Sequence, residues 1–188
     1  MRVLALTGMP GAGKSTVASM AEGLGIPVAT MGDAVRMELR RRGMEATPSN
    51  FDSLTRGLRE EAGEAAVAKL TLLLIRERGL EGGPLLVIDG VRSLPEVKEM
   101  AAWPFVESIT VMAVLSPFKS RFERLFGRGR MGDPKVEEEL RRRDAVELSV
   151  GLGSVIALAD IFLVNDGDLN DFLENAREKL TKWKEGRV

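Results

Sequence analysis

The feature that most constrains the fold is a glycine-rich segment that directly follows the first apolar run, Arg2–Thr7. Its residues are Gly8-Met9-Pro10-Gly11-Ala12-Gly13-Lys14-Ser15-Thr16, with the spacing G-x-x-x-x-G-K-S/T. The three glycines let the backbone turn its N–H groups inward around phosphate oxygens. The N-terminus of a following helix adds its positive dipole end. The segment therefore predicts a phosphate-binding P-loop between a buried strand and a helix.

This motif assigns a chemical role to each end of the nucleotide site. Lys14 is expected to reach the β- and γ-phosphates, and Ser15 is expected to face a magnesium ion. A later apolar run, Leu85–Asp89, ends in a carboxylate that we expect near the metal and its waters. ATP and Mg²⁺ are thus the predicted cofactors. The predicted ATP-binding residues in the loop are Gly8, Pro10, Gly11, Ala12, Gly13, Lys14, Ser15 and Thr16.

Short apolar runs alternate with stretches of helical period, which is typical of repeated β-α units around a parallel sheet. The predicted strands are Arg2–Thr7, Pro27–Thr30, Leu85–Asp89, Ser108–Leu115 and Ile161–Asn165. The predicted helices are Lys14–Gly23, Asp33–Arg42, Pro48–Arg78, Leu94–Ala101, Pro117–Phe126, Pro134–Leu148 and Leu169–Lys184. We predict an α/β fold of the P-loop NTPase kind, with three αβα layers and a five-stranded parallel sheet whose middle strand carries the P-loop.

The length of 188 residues is typical of a single domain, which we predict to span 1–188. Two stretches interrupt the plain β-α alternation. A helical insert from about residue 43 to residue 83 is the predicted acceptor-binding region, although Gly57 and Gly63 weaken the expectation of one unbroken helix there. An Arg/Gly-rich loop at 127–133 is the predicted lid. Both are candidates for mobile flaps.

The composition excludes several kinds of chemistry. The chain has no cysteine and no histidine, so disulfides, thiolate nucleophiles and histidine bases are ruled out. Carboxylates, cations and hydroxyls must do the work, which suits phosphoryl transfer. The net charge of −1 gives no global attraction to nucleic acid or to a membrane, and no run is apolar enough to span one. We expect a cytoplasmic protein without a nucleic-acid partner; the sequence indicates no oligomeric state.

Several further motifs support a particular branch of P-loop proteins. They are Gly32-Asp33-Ala34-Val35-Arg36, Asp89-Gly90-Val91-Arg92, the proline and arginines of Pro117–Arg128, and Asn165-Asp166-Gly167. With the P-loop, they resemble the nucleoside monophosphate kinases, adenylate kinase above all, and their relative dephospho-coenzyme A kinase. Pro10-Gly11 is similar to adenylate kinase, whereas Lys14-Ser15-Thr16 is more similar to dephospho-coenzyme A kinase.

The resemblance implies roles for residues outside the P-loop. Arg36 and Arg92 would hold the phosphate of the acceptor, with Asp33 beside them. Arg124 would lie over the ATP base, and Gly167 would border it. The lid arginines that close on the transferring phosphoryl group would be Arg128, Arg130 and one member of the run Arg141-Arg142-Arg143. Spacing does not choose among the three members of that run, and we take Arg142 as the candidate. Arg59 is a candidate third acceptor ligand, although a solvated helix face is the more common setting for such a residue.

The predicted function is an ATP-dependent transfer of the γ-phosphoryl group to a small nucleotide-like acceptor. If the acceptor carried a hydroxyl, as dephospho-coenzyme A does, Asp33 would be the candidate base. An ATP-hydrolysing switch protein is the alternative from another class. No N-K-x-D or L-S-G-G-Q segment occurs, which argues against a GTPase and against an ABC ATPase. A kinase of RNA ends is a weaker alternative, because no stacking aromatics accompany the arginines.

Overall fold

A parallel five-stranded sheet organises the chain. The computed structural model describes residues 1–130 and 132–187. The strands are β1 (Arg2–Thr7), β2 (Val28–Thr30), β3 (Leu85–Asp89), β4 (Ser108–Leu115) and β5 (Ile161–Val164). Their order is β2-β3-β1-β4-β5, and every neighbouring pair is parallel. The predicted αβα fold, with the P-loop strand in the middle of the sheet, is confirmed.

Nine α-helices lie within the described residues. They are α1 (Lys14–Gly23), α2 (Met31–Arg41), α3 (Pro48–Ala62), α4 (Ala66–Glu77), α5 (Leu94–Ala101), α6 (Phe118–Arg128), α7 (Glu137–Val150), α8 (Leu152–Ala157) and α9 (Leu169–Lys184). A short 3₁₀ turn covers Leu80–Gly82. In the described part of the chain, none of these helices is both long and apolar enough to cross a membrane.

The helical insert corrects one prediction. The single helix expected over Pro48–Arg78 is wrong, because α3 ends at Ala62, is capped by Gly63 at a φ of 86°, and α4 begins at Ala66. Helix α2 starts two residues before the predicted Asp33, because the Thr30 side chain accepts from the Asp33 N–H as an N-cap. The bounds of α6 and α7 also shift by one to three residues, and α8 was not predicted at all.

Both faces of the sheet are covered, as the apolar continuity of the strands predicts. Side chains of β1 alternate: Val3 and Ala5 pack against α2, α4 and α5, whereas Leu4 and Leu6 pack against α1 and α9. The two largest groups of buried side chains therefore lie on opposite sides of β1, which is itself buried from residue 3 to residue 7.

The strand register fixes the position of the site. Leu6 pairs with Asp89 across β1 and β3, and Thr30 pairs with Asp89 across β2 and β3. The hydroxyl of Thr7 donates to the Val91 carbonyl at 2.8 Å, which joins the start of the P-loop to the turn after β3. The P-loop, the first turn of α2 and the β3–α5 turn therefore meet at one carboxyl edge of the sheet, where ligands bind in such folds.

Candidate active site

The P-loop is close-packed where two of its glycines lie. Gly8 has φ of 142°, and a Cβ added there would lie 2.4 Å from the Val114 carbonyl oxygen. Gly13 has φ of 113°, and its added Cβ would lie 2.6 Å from Asn165 Nδ2. Side chains are excluded at both positions by backbone conformation and by contact. The loop therefore has the tight, inward-turned shape that the motif predicts.

Two side chains from distant parts of the chain hold the loop in this shape. Asn165 Nδ2 donates to the Ala12 carbonyl at 2.8 Å, and Arg121 Nη1 donates to the Pro10 carbonyl at 3.1 Å. Arg121 also forms a buried bidentate pair with Asp144, at 2.9 and 2.7 Å. Arg121 lies within the Pro117–Arg128 segment, but its contact with the P-loop leaves no local signal in the sequence.

Lys14 begins α1 directly after the P-loop glycines, and Asp89 ends β3, the strand beside β1. Lys14 Nζ donates to the carbonyls of Gly8 at 2.6 Å and Met9 at 3.3 Å. Burial lowers the pKa of Lys14, while the charges of Asp89 and Glu147 oppose that shift. Burial likewise raises the pKa of Asp89, and the charge of Lys14 opposes it. Each group thus stabilises the ionised form of the other in surroundings that disfavour an isolated charge.

The residues fit a magnesium ion. Asp89 Oδ1 is buried and has no hydrogen-bond partner among the described residues. Ser15 is exposed at the start of α1. A carboxylate with a free oxygen and a hydroxyl beside a phosphate-binding loop are the groups through which Mg²⁺ is held when substrate phosphates complete its shell. Ser15 would ligate the ion directly, and Asp89 would hold it through water.

The predicted base-binding residues lie beside the loop. Arg124 donates to Ser116 Oγ at 2.7 Å and to the backbone and side-chain oxygens of Asn165 at 3.0 and 2.9 Å. Gly167 is exposed in the turn after β5. An open cleft of about 780 Å³ runs between α1 and α9, lined by Ser15, Thr16, Ser19, Met20, Arg130, Leu173, Glu174 and Arg177. Neither Arg124 nor Gly167 is among its lining residues.

On the acceptor side, Asp33 and Arg36 are paired with each other. Arg36 donates to Asp33 Oδ1 through Nε at 3.2 Å and Nη2 at 2.7 Å, and Arg78 approaches Asp33 Oδ2 at 3.4 Å. Burial acts to raise the pKa of Asp33, but hydrogen bonds from Arg36 and Thr30 and the nearby arginine charges hold it below its ordinary value. Asp33 is therefore an ionised carboxylate neutralised by arginines.

Arg92 lies closer to the centre of the site than Arg36 does. Its Nε lies 3.1 Å from Glu147 Oε2 on α7, and its charge acts on Lys14 and on Asp89. Its backbone N–H donates to Glu96 Oε2 at 2.8 Å. Arg59 of the insert is buried near Glu96 rather than solvated, which corrects the expectation of a solvated helix face.

The lid arginines are bound to nearby carboxylates. Arg128 donates to Asp133 through Nε at 2.9 Å and through Nη2 at 2.5 Å, and the Arg130 backbone N–H also donates to Asp133. Arg142 points to Glu138 at 3.4 Å and is 76% exposed. Arg143 is exposed, and its charge acts on Lys14 and on Asp133. Met131 of the predicted lid lies outside the described residues.

Several known proteins are similar to this chain in sequence. A family model described as an AAA domain matches residues 7–141. A UPF0200 protein of Hyperthermus butylicus is 46% identical over 180 residues, covering 96% of this chain and 94% of that protein. A UPF0200 protein of Pyrococcus furiosus is 44% identical over 186 residues, covering 99% and 100%.

Solved structures resemble the fold at low sequence identity. TT1252 from Thermus thermophilus has a TM-score of 0.67 at 20% identity, covering 96% of each chain. A shikimate kinase from Bacteroides thetaiotaomicron has a TM-score of 0.60 at 19% identity, covering 97% of this chain and 98% of that one. A gluconokinase from Sinorhizobium meliloti has a TM-score of 0.55 at 18% identity, covering 98% and 94%. The chain has the P-loop kinase-like fold, and it belongs to the UPF0200 family of AAA-domain proteins.

Proposed function

We propose that this protein is an ATP-dependent phosphotransferase that moves the γ-phosphoryl group to a small nucleotide-like acceptor. One observation carries the proposal. In the sheet, Asp89 of the predicted ATP site pairs with Leu6, ahead of the P-loop, and with Thr30, which caps the helix that carries Asp33 and Arg36. The turn after Asp89 carries Arg92, whose Nε lies 3.1 Å from Glu147 Oε2 on α7. A loop that only bound nucleotide would not need these additional charged side chains at the same edge of the sheet.

The proposed mechanism is an in-line transfer between two bound substrates. The P-loop backbone and Lys14 hold the donor phosphates, and Arg92 anchors the acceptor opposite them. Arg128 leaves Asp133 to spread charge over the transferring group, and the side chains of Arg130 and Arg143 add their charges there. Bound magnesium would neutralise charge on the donor phosphates. Positioning and charge neutralisation are sufficient for this chemistry.

The state of Asp33 favours an acceptor that is already ionised. A general base works best when its pKa lies near the working pH, whereas the pKa of Asp33 lies below its ordinary value while Arg36 and Arg78 bind it. A monophosphate acceptor needs no base, because its attacking oxygen carries the charge itself. A nucleoside monophosphate is therefore the first candidate acceptor.

A hydroxyl acceptor is the second candidate, of which dephospho-coenzyme A is one example. The charge of Asp33 acts on Asp89, so a base at Asp33 would lie on the correct side of the site. Two structural neighbours are named as kinases of shikimate and gluconate, and the shared fold accommodates such activities. In this case, binding of the acceptor would have to separate Asp33 from Arg36.

An acceptor panel tests the proposal. The protein is incubated with magnesium ATP and, separately, with each nucleoside monophosphate, dephospho-coenzyme A, shikimate or gluconate, and ADP is measured with and without each acceptor. We expect one class of acceptor to raise ADP release well above the unstimulated rate. ADP release at the same rate in every mixture would contradict the kinase proposal and favour an ATP-hydrolysing switch.

We further propose that the activity is cytoplasmic, where magnesium ATP is available. The acceptor is a small molecule in this proposal, and neither nucleic acid nor a membrane takes part.

A further inference from the structure

Arg59 is the most unusual charged residue outside the P-loop. We propose that Arg59 and Arg92 together form a subsite for a compact anionic group of the acceptor, either a phosphate or a carboxylate. This inference rests on the proposed function and adds to it the chemistry that the acceptor must carry.

The Arg59 guanidinium is buried without adequate partners. Its side chain is 19% exposed, and its Nε and Nη2 atoms are buried with no hydrogen-bond partner in the described residues. Burial lowers the pKa of Arg59, and the charge of Arg92 adds to that effect, while Glu96 and Glu147 oppose it. A buried cation with unused donors is costly. Donors in this state are typical of a site that a ligand completes.

The nearest carboxylate cannot fill this role. Glu96 Oε1 lies 3.9 Å from Arg59 Nη2, beyond hydrogen-bond distance. The other oxygen of Glu96 accepts from the backbone N–H groups of Arg92 at 2.8 Å and Ser93 at 3.1 Å, as part of the capping box of α5. Moving Glu96 onto Arg59 would break that cap. Glu96 therefore offsets the charge of Arg59 without satisfying its donors.

Arg92 links this buried cation to the P-loop. Both arginines approach the Glu96 carboxylate: Arg59 Nη2 lies 3.9 Å from Oε1, and the Arg92 backbone N–H donates to Oε2 at 2.8 Å. Arg92 also directly follows Val91, whose carbonyl accepts from the Thr7 hydroxyl at the start of the P-loop. Its Nε contacts Glu147 Oε2 at 3.1 Å, a position that an anionic oxygen of a ligand could take. Guanidinium donors fit the oxygens of a phosphate or a carboxylate. A neutral acceptor would leave the buried Nε and Nη2 donors of Arg59 without a partner.

Arg36 is a weaker candidate for the same task. It is 47% exposed, and both of its observed hydrogen bonds go to Asp33. Its charge is therefore already neutralised at short range, whereas Arg59 Nε and Nη2 are buried without a hydrogen-bond partner among the described residues. The geometry favours the insert helix α3 over the first turn of α2 as the main source of acceptor affinity.

The test uses four forms of the full chain: wild type, Arg59→Met, Arg59→Lys and Arg56→Met. Arg56 is exposed on the same helix and serves as the matched control. Each form is first saturated with magnesium and a non-hydrolysable ATP analogue, so that the P-loop is filled. Binding of AMP, CMP, GMP or UMP forms the phosphate arm, binding of shikimate or gluconate forms the carboxylate arm, and adenosine is the uncharged probe. Affinities are measured by calorimetry.

We expect wild type and Arg56→Met to bind at least one anionic probe equally well, and to bind adenosine much more weakly. Arg59→Met should weaken that probe about 30-fold, and Arg59→Lys should fall between, because lysine restores charge without the fork. Unchanged anion affinity in Arg59→Met, or no anion binding by the wild type, would overturn the inference. Analogue binding to all four forms is measured separately. Its absence would contradict the ATP site itself, and therefore the proposed function.

Removing Arg59 leaves Glu96 without its neighbouring cation. Melting temperatures of all four forms are therefore compared without ligand. If Arg59→Met does not fold, Arg59→Lys alone decides, because it keeps the charge beside Glu96: wild-type affinity in that variant would overturn the claim that the guanidinium fork recognises the anion.

Discussion

The donor loop and the lid of the site differ in how their arginines are held. On the donor side, Arg121 is 5% exposed and is fixed by Asp144 and by the P-loop backbone. On the lid, Arg128 and Arg142 form ion pairs with side chains 36% and 76% exposed. Buried bidentate pairs hold one geometry, whereas exposed pairs contribute little and exchange partners easily. The donor loop is thus preorganised, whereas the lid arginines can leave their carboxylate partners and bind substrate.

This difference suggests a division of labour. The fixed region binds the phosphates of ATP with no further change in the loop. In the lid region, Arg128 is paired with Asp133 and Arg142 with Glu138. A substrate phosphate would have to compete with these carboxylates for the two arginines. Substitutions in the two regions should therefore have different consequences, which the following variants separate.

The largest effect is expected at the phosphate-binding cation. Lys14→Ala should abolish detectable turnover and weaken ATP binding, because the charge at the β- and γ-phosphates is lost. Lys119→Ala, which removes an exposed lysine on α6, is the matched control. Steady-state kinetics and ATP titration measure both. A folded Lys14→Ala protein with ordinary turnover would contradict the assignment of the ATP site.

Next comes the buried pair behind the loop. Arg121→Met leaves Asp144 as an unpaired buried carboxylate and should lower the free energy of unfolding by about 3–5 kcal/mol. Arg76→Met is the control, because it removes an exposed pair with Glu81 and should cost under about 1 kcal/mol. Urea unfolding compares the two. Similar losses in both variants would show that the donor loop is not held as we describe.

The lid arginines should affect rate more than affinity. Arg128→Ala and Arg143→Ala should each lower kcat by roughly 10² with little change in either KM, because they act on charge that develops in the transition state. Arg142→Ala should have a smaller effect, because that side chain points to Glu138 and solvent. If Arg142→Ala lowered kcat the most of the three variants, the assignment of Arg143 rather than Arg142 to the transferring group would be wrong.

The smallest expected effect is on pH dependence. The hydrogen bond from Arg128 holds the pKa of Asp133 below its ordinary value of 3.8, although burial opposes the shift. This depressed pKa means that the ion pair stabilises the fold above about pH 4 and loses that contribution as pH falls through the lowered value. Asp133→Asn should reduce Tm by about 2 °C at pH 7, and the difference should shrink progressively as the pH falls below about 4. A constant difference across this range would rule out the ion pair as its source.

Much of the fold could be predicted from sequence, because strands covered on both faces leave long apolar runs and the P-loop marks the central one. The break at Gly63 and helix α8 were less accessible: glycine is tolerated within many helices, and Leu152–Ala157 is too short to show a helical period. Gly8 through Thr16 and Asp89 could be placed by motif and strand position. The partners of Arg59, Arg121 and Arg92 could not, because each contact joins residues brought together only by the fold.

The most direct test of the account is to follow the γ-phosphate of ATP itself. The wild type and Lys14→Ala are given magnesium ATP labelled at the γ-phosphate, with the acceptor that most stimulates ADP release, and the products are separated. The account predicts that label appears on the acceptor in proportion to ADP with the wild type, and not with Lys14→Ala. Label found only as inorganic phosphate, at a rate independent of the acceptor, would contradict phosphoryl transfer as the function of this site.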